Sequence, residues 1–140
     1  QNIKDCLMDK KRKLGNSNPD YKIMDIFNSI YADNYPVMAG SSTLFFASKR
    51  PTSSLRKVAM PDYNIFISVK DSLGNSQQPV QFKYNTWKSS EYPCFVTPDC
   101  DTLYFACNKK GNYDIYRTIK NSNEWSEPEL LEKPIRQYME

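Results

Sequence analysis

Part of this chain is written twice, and an internal repeat narrows the possible folds more than any single motif does. Asn28-Ser29-Ile30-Tyr31-Ala32-Asp33-Asn34-Tyr35-Pro36 runs alongside Asn85-Thr86-Trp87-Lys88-Ser89-Ser90-Glu91-Tyr92-Pro93. Asn28 falls on Asn85, and Tyr35-Pro36 on Tyr92-Pro93, without a gap. Farther on, Thr43-Leu44-Phe45-Phe46-Ala47 matches Thr102-Leu103-Tyr104-Phe105-Ala106. Tyr63-Asn64-Ile65-Phe66 then matches Tyr113-Asp114-Ile115-Tyr116. An apolar run alone identifies no fold. Three motifs returning in one order point to a tandem β-repeat.

The second copy reads as four strands. Strand a covers residues 92–97, and Pro98-Asp99-Cys100-Asp101 turns the chain. Proline presets φ there and aspartate bonds its own backbone. Strand b covers 102–107, residues 108–112 turn, strand c covers 113–119, residues 121–124 turn, and strand d covers 125–131. Aromatic residues at 14%, 9 prolines and only 4 glycines suit such a β-protein. Four short strands in a meander make one propeller blade, and a period of about 50 residues fits one. The first copy has a longer loop, from about Lys49 to Pro61.

The expected fold is therefore all-β, with propeller blades as four-stranded antiparallel meanders. Asn64 stands 21 residues before Asn85, and Asp5 stands 23 before Asn28. That spacing makes residues 1–27 a partial blade, holding strands c and d. Residues 28–84 and 85–135 form two full blades, and 136–140 start a next repeat or a terminus. Propellers typically need 4–8 blades. The rest of the ring is expected from a longer chain or another subunit.

The quoted residues resemble the WD-like propeller repeat of the TolB type, found in bacterial cell-envelope proteins, some of which carry an OmpA-like domain. The family pattern appears here as Tyr92-Pro93, Pro98-Asp99, Thr102-Leu103-Tyr104-Phe105, Asp114-Ile115-Tyr116 and Trp125-Ser126-Glu127-Pro128, with Asn85-Thr86 as the linking segment. The match covers 28–140 well and 1–27 weakly. Cys100 stands where the family has a turn glycine. The first copy has Ala39-Gly40-Ser41-Ser42 in place of the Pro-Asp turn and lacks the tryptophan. The resemblance implies a periplasmic or outer-membrane-associated setting.

Several residue classes bear on chemistry. The chain has no histidine, which removes the commonest general base and most zinc sites. Asp99 and Asp101 share one tight turn and Asp114 opens a strand, whereas glycoside hydrolysis needs two carboxyls across a cleft. We read Asp99, Asp101, Asp114 and Asn64 as blade-locking turn and strand residues, and Asp33 and Glu91 as linker acids. Cys94, Cys100 and Cys107 lie on one hairpin, with Cys6 far upstream. Cys94 and Cys107 are expected on the same face, where they either bond or pack; buried free thiols are the default. No metal or cofactor site is expected. The net charge of +3 gives no argument for nucleic acid. Lys10-Lys11-Arg12-Lys13 falls at a turn and reads as a solvated run. No stretch approaches the ~18 apolar residues of a membrane helix, and no signal peptide is visible.

Tyr31, Tyr35, Tyr84, Trp87 and Tyr92 cluster around the blade junctions. Such aromatics either fill space between blades or form a binding platform. The expected role is a non-catalytic interaction module or scaffold that binds a protein, or a carbohydrate such as peptidoglycan, through blade loops. The alternative is a glycan-active or peptidase-associated propeller enzyme domain. Acidic side chains converging from several blades would favour the enzyme.

Overall fold

A computed structural model describes residues 24–51, 62–86 and 88–132. They form two antiparallel sheets and no helix, so nothing among them is a helix long and apolar enough to cross a membrane. The first sheet is a meander of β1 (Asp33–Ala39), β2 (Thr43–Ser48), β3 (Asn64–Val69) and β4 (Val80–Gln81). The second comprises β5 (Glu91–Val96), β6 (Thr102–Lys110), β7 (Asn112–Asn121), β8 (Glu124–Trp125) and β9 (Glu129–Leu130). Its order is β5-β6-β7-β8, with β9 also on β7. The all-β class and the meander order agree with the repeat. The expected partial blade lies almost wholly outside the described residues, and so does the segment 136–140.

The strand read over 125–131 is two short pieces. Pro128 has no N–H to give to a ladder. β8 and β9 accordingly pair with β7 on either side of Ser126-Glu127-Pro128. The turn read over 108–112 is tighter than expected. Gly111 takes φ 98°, so β6 and β7 stay paired out to Lys110 and Asn112. Cys100 adopts a left-handed backbone, the conformation that favours glycine, with φ 62°.

The two ladders can be overlaid by their partners. Val37 lies opposite Phe45 and Met38 opposite Leu44, as Phe95 lies opposite Tyr104 and Val96 opposite Leu103. Each a–b pair carries one bulge, at Tyr35-Pro36 in the first sheet and at Cys94 in the second. Because the bulges fall at different places, the gapless sequence match slips by one residue before them. Asp33, opposite Ser48, is thus the ladder equivalent of Glu91, opposite Cys107.

The core lies between the sheets. Ala39, Phe45, Ile65 and Phe82 come from the first unit, and Val96, Leu103, Phe105 and Cys107 from the second. Alternation along each strand gives every sheet two faces. The Phe45 face of the first sheet meets the Leu103-Phe105 face of the second. Those faces are not equivalent, since Leu103 and Phe105 correspond to Leu44 and Phe46. The units therefore stack front to back, as serial repeats do. Phe45, Ile65 and Leu103 are essentially fully buried, and each such side chain contributes about 1.5–3 kcal/mol by leaving water.

Candidate functional site

The joint between the sheets is built from backbone first. Glu91 N donates to Tyr63 O at 2.8 Å, and Tyr63 N donates to Ser90 Oγ at 3.2 Å. The start of β5 is thereby tied to the residue just before β3. Asn85, in the linking segment, reaches the same strand. Its amide donates to Ile65 O at 2.7 Å and its Oδ1 accepts from Ile65 N at 2.9 Å. One side chain thus completes the bonding that a neighbouring strand would give.

This joint brings four tyrosines together. Tyr92 follows Glu91 directly, so its ring meets Tyr63 with centroids 5.1 Å apart. Tyr35 packs on Tyr92 at 4.7 Å, edge to face, and Tyr113 lies 5.6 Å from Tyr92. Tyr35 owes its place to the bulge, where it takes φ 55°, a left-handed conformation unusual for an aromatic residue. The cluster is tied at its edges. Asn34 donates to Tyr63 Oη at 2.9 Å, Lys49 Nζ sits 4.8 Å over the Tyr63 ring, and Tyr113 Oη donates to Tyr92 Oη at 3.4 Å. Desolvation, then the bond with Tyr113, pushes the Tyr92 phenol far above its ordinary range.

The cluster borders an open groove of about 480 Å³, lined by Tyr35, Pro36, Tyr92, Pro93, Cys94 and Tyr113 together with Val37 and Ala106. Tyr35 is 55% exposed and Tyr113 53%. The lining includes no carboxylate and no base, so the groove is equipped to hold a ligand by ring contact.

Of the five aromatics singled out by sequence, Tyr35 and Tyr92 enter this groove. Tyr84 turns inward, packs on Phe82 and donates to Trp125 O at 3.0 Å. Tyr31 is exposed and outside the group of rings. Trp87 lies outside the described residues. Tyr63 and Tyr113 complete the site; they were visible as a repeated pair but read only as markers of strand c.

The turn and strand residues sit as follows. Asp101 Oδ1 accepts from Thr97 Oγ1 at 3.0 Å and Thr102 Oγ1 at 2.7 Å, and Asp99 Oδ1 accepts from Asp101 N at 3.4 Å. These bonds cap the β5–β6 turn. The bond from Thr97 leads in holding the Asp99 carboxyl below its ordinary range. Asp114 is half-buried opposite Cys107. Asn64 is buried, and its amide donates back to Asp62 O at 3.1 Å.

Asp33 and Glu91 are more than linker acids. Ser29 N and Ser29 Oγ donate to Asp33 Oδ2 at 2.6 and 2.8 Å. Thr86 N and Thr86 Oγ1 donate to Glu91 Oε1 at 3.4 and 3.0 Å. Ser29 and Thr86 follow the repeated asparagines, so the same clamp is built twice. Asp33 also pairs with Arg50 at 2.9 Å. Glu91 is 1% exposed, accepts from Ser89 Oγ at 2.6 Å, and leaves Oε2 without a hydrogen-bond partner among the described residues. Burial works against the charge on both. Bonds from Ser48, Arg50 and Ser29 outweigh it at Asp33 and lower that pKa, whereas burial prevails at Glu91 and raises it.

Cys94, Cys100 and Cys107 are free thiols. Of these only Cys107 is buried; the bulge leaves Cys94 exposed, so the two do not share a face as expected. Burial pushes the Cys107 thiol up, which favours the protonated form over a nucleophilic thiolate. Cys6 lies outside the described residues, and among the described ones no group of three His, Cys, Asp or Glu side chains could hold a metal. No family model, no curated protein and no solved structure matches the chain.

Proposed function

We propose that this chain is a non-catalytic β-propeller binding module that holds a protein segment at the tyrosine groove. The observation that carries this reading is the convergence of Tyr35, Tyr92 and Tyr113, from both repeats, on one open groove, with Tyr63 packed behind Tyr92. Tyrosines give large contact area at low cost in side-chain entropy. A lining of rings and prolines suits an extended, proline-containing peptide, which aromatic grooves take in its preformed helix. Two antiparallel sheets, of four and five strands, stacked front to back support the propeller reading. The envelope setting, periplasmic or outer-membrane-associated, rests on the sequence resemblance alone.

The test is titration of the full chain with a decaproline peptide and, separately, an N-acetylglucosamine hexamer, followed by tyrosine fluorescence. The peptide should bind. Tyr35→Ala and Tyr113→Ala should each weaken it about tenfold, the loss of one exposed aromatic anchor, with Tyr31→Ala unchanged. Binding of the sugar alone, or peptide binding indifferent to Tyr35 and Tyr113, would overturn the reading.

A further inference from the structure

The joint between the sheets has two halves, and each half occurs a second time without its counterpart among the described residues. In the joint, the back of the first sheet contributes Val37, Phe45 and Ala47, and the front of the second contributes Val96, Leu103 and Phe105. The ladder equivalents of the front half are Met38, Leu44 and Phe46. They line a groove of about 600 Å³ with Met24, Phe27 and Pro36. Val96 is 3% exposed, while Met38, in the same ladder position, is 52% exposed. Phe46 is already covered, by the Phe27 ring at 6.2 Å and the Arg50 guanidinium at 5.1 Å. The ladder equivalents of the back half are Phe95, Tyr104 and Ala106. Phe95 is 52% exposed, and its ring meets that of Tyr104 at a tilt, with centroids 6.1 Å apart.

We infer that a second copy of this chain docks its Phe95-Tyr104 face into the Met38-Leu44 groove, repeating between chains the joint that exists within one. The occupant is a second copy because the chain carries the ladder equivalents of both halves of the joint. The docking face also holds an ion pair: Arg117, cross-strand from Tyr104, and Glu129 stand at the ladder positions of Ile67, which is half-buried against the core, and Val80, which is 63% exposed. The guanidinium thus enters the contact already paired, with the carboxylate toward the exposed rim. The contact is head to tail: each copy spends one face and leaves the other free. The inference rests on the repeated joint and not on the tyrosine groove, so loss of peptide binding would leave it standing.

Sedimentation of the full chain across a wide concentration range tests this. The mass should rise from 16.3 kDa to whole multiples of it. Met38→Glu and Phe95→Glu each place a charge in the contact at a position exposed in the single chain, and each should weaken association more than tenfold. Mixed together, the two variants should pair one to one and stop there, since each keeps the face the other has lost. A mass of 16.3 kDa at every concentration overturns the inference. So does association that survives both substitutions, or a mixture that fails to pair.

Discussion

Asp33 and Glu91 occupy one ladder position, yet their surroundings set opposite titrations. Asp33 has its pKa lowered, so its contribution to stability is present above its unfolded value near 3.8 and is lost as pH falls. Glu91 has its pKa raised, so its contribution is full below about 4.5 and is lost as pH rises through the folded value. Asp33→Asn should therefore remove an acid-side loss and cost about 1–2 kcal/mol at neutral pH, because Arg50 loses a charged partner. Glu91→Gln should flatten the neutral-side decline and stabilise by about 1 kcal/mol at pH 7, because no charge is then buried beside an unpartnered oxygen. Urea midpoints measured from acid to neutral pH check both; parallel profiles for the two variants would contradict the assignment.

At the scale of elements, the linking segment does work that its composition did not advertise. Asn85 bonds both the N–H and the C=O of Ile65. Asn85→Ala should cost about 1–3 kcal/mol by leaving the buried Ile65 N–H unmet, since Ile65 O still accepts from Phe82 N, measured by denaturant unfolding; a loss under half a kcal/mol would show that water replaces the amide readily. A second repeated device crosses from strand c to the segment after it. Ser68 Oγ donates to Gln77 O at 2.5 Å, and Thr118 Oγ1 to Ser126 O at 2.7 Å. The strands themselves were legible, because Thr-Leu-Phe-Phe-Ala and Thr-Leu-Tyr-Phe-Ala return in the same order in both copies. The tyrosine pair Tyr35 and Tyr92 was legible for the same reason. The bulges were not. A bulge is a mismatch between two strands, and only the partner strand reveals it. The bulge at Cys94 is why that thiol does not lie beside Cys107; Glu91 read as a linker acid because it precedes Tyr92-Pro93. Tyr84 takes the space-filling one of the two roles open to it: sequence does not say which face of a linker turns inward, and Trp125, its partner, lies 41 residues away.

For the whole molecule, the shared core decides how the sheets unfold. Phe82 packs edge to face on both Phe105 and Trp125, across the boundary between units. Neither sheet keeps its buried face without the other. Leu103→Ala should cost about 2–4 kcal/mol and shift one cooperative transition, seen alike by near-ultraviolet and far-ultraviolet dichroism; two separated transitions would mean that each sheet folds alone. The front-to-back joint has a geometric consequence as well. A contact between unlike faces defines a fixed screw motion, and repeating it leads either to a ring or to an endless spiral. Which of the two results depends on the rise and rotation of a single step. The side chains of that step, Phe45 and Phe82 against Leu103 and Phe105, therefore act as the protein's pitch setting. In the head-to-tail assembly inferred above, a change of volume there would also alter how many units complete a turn.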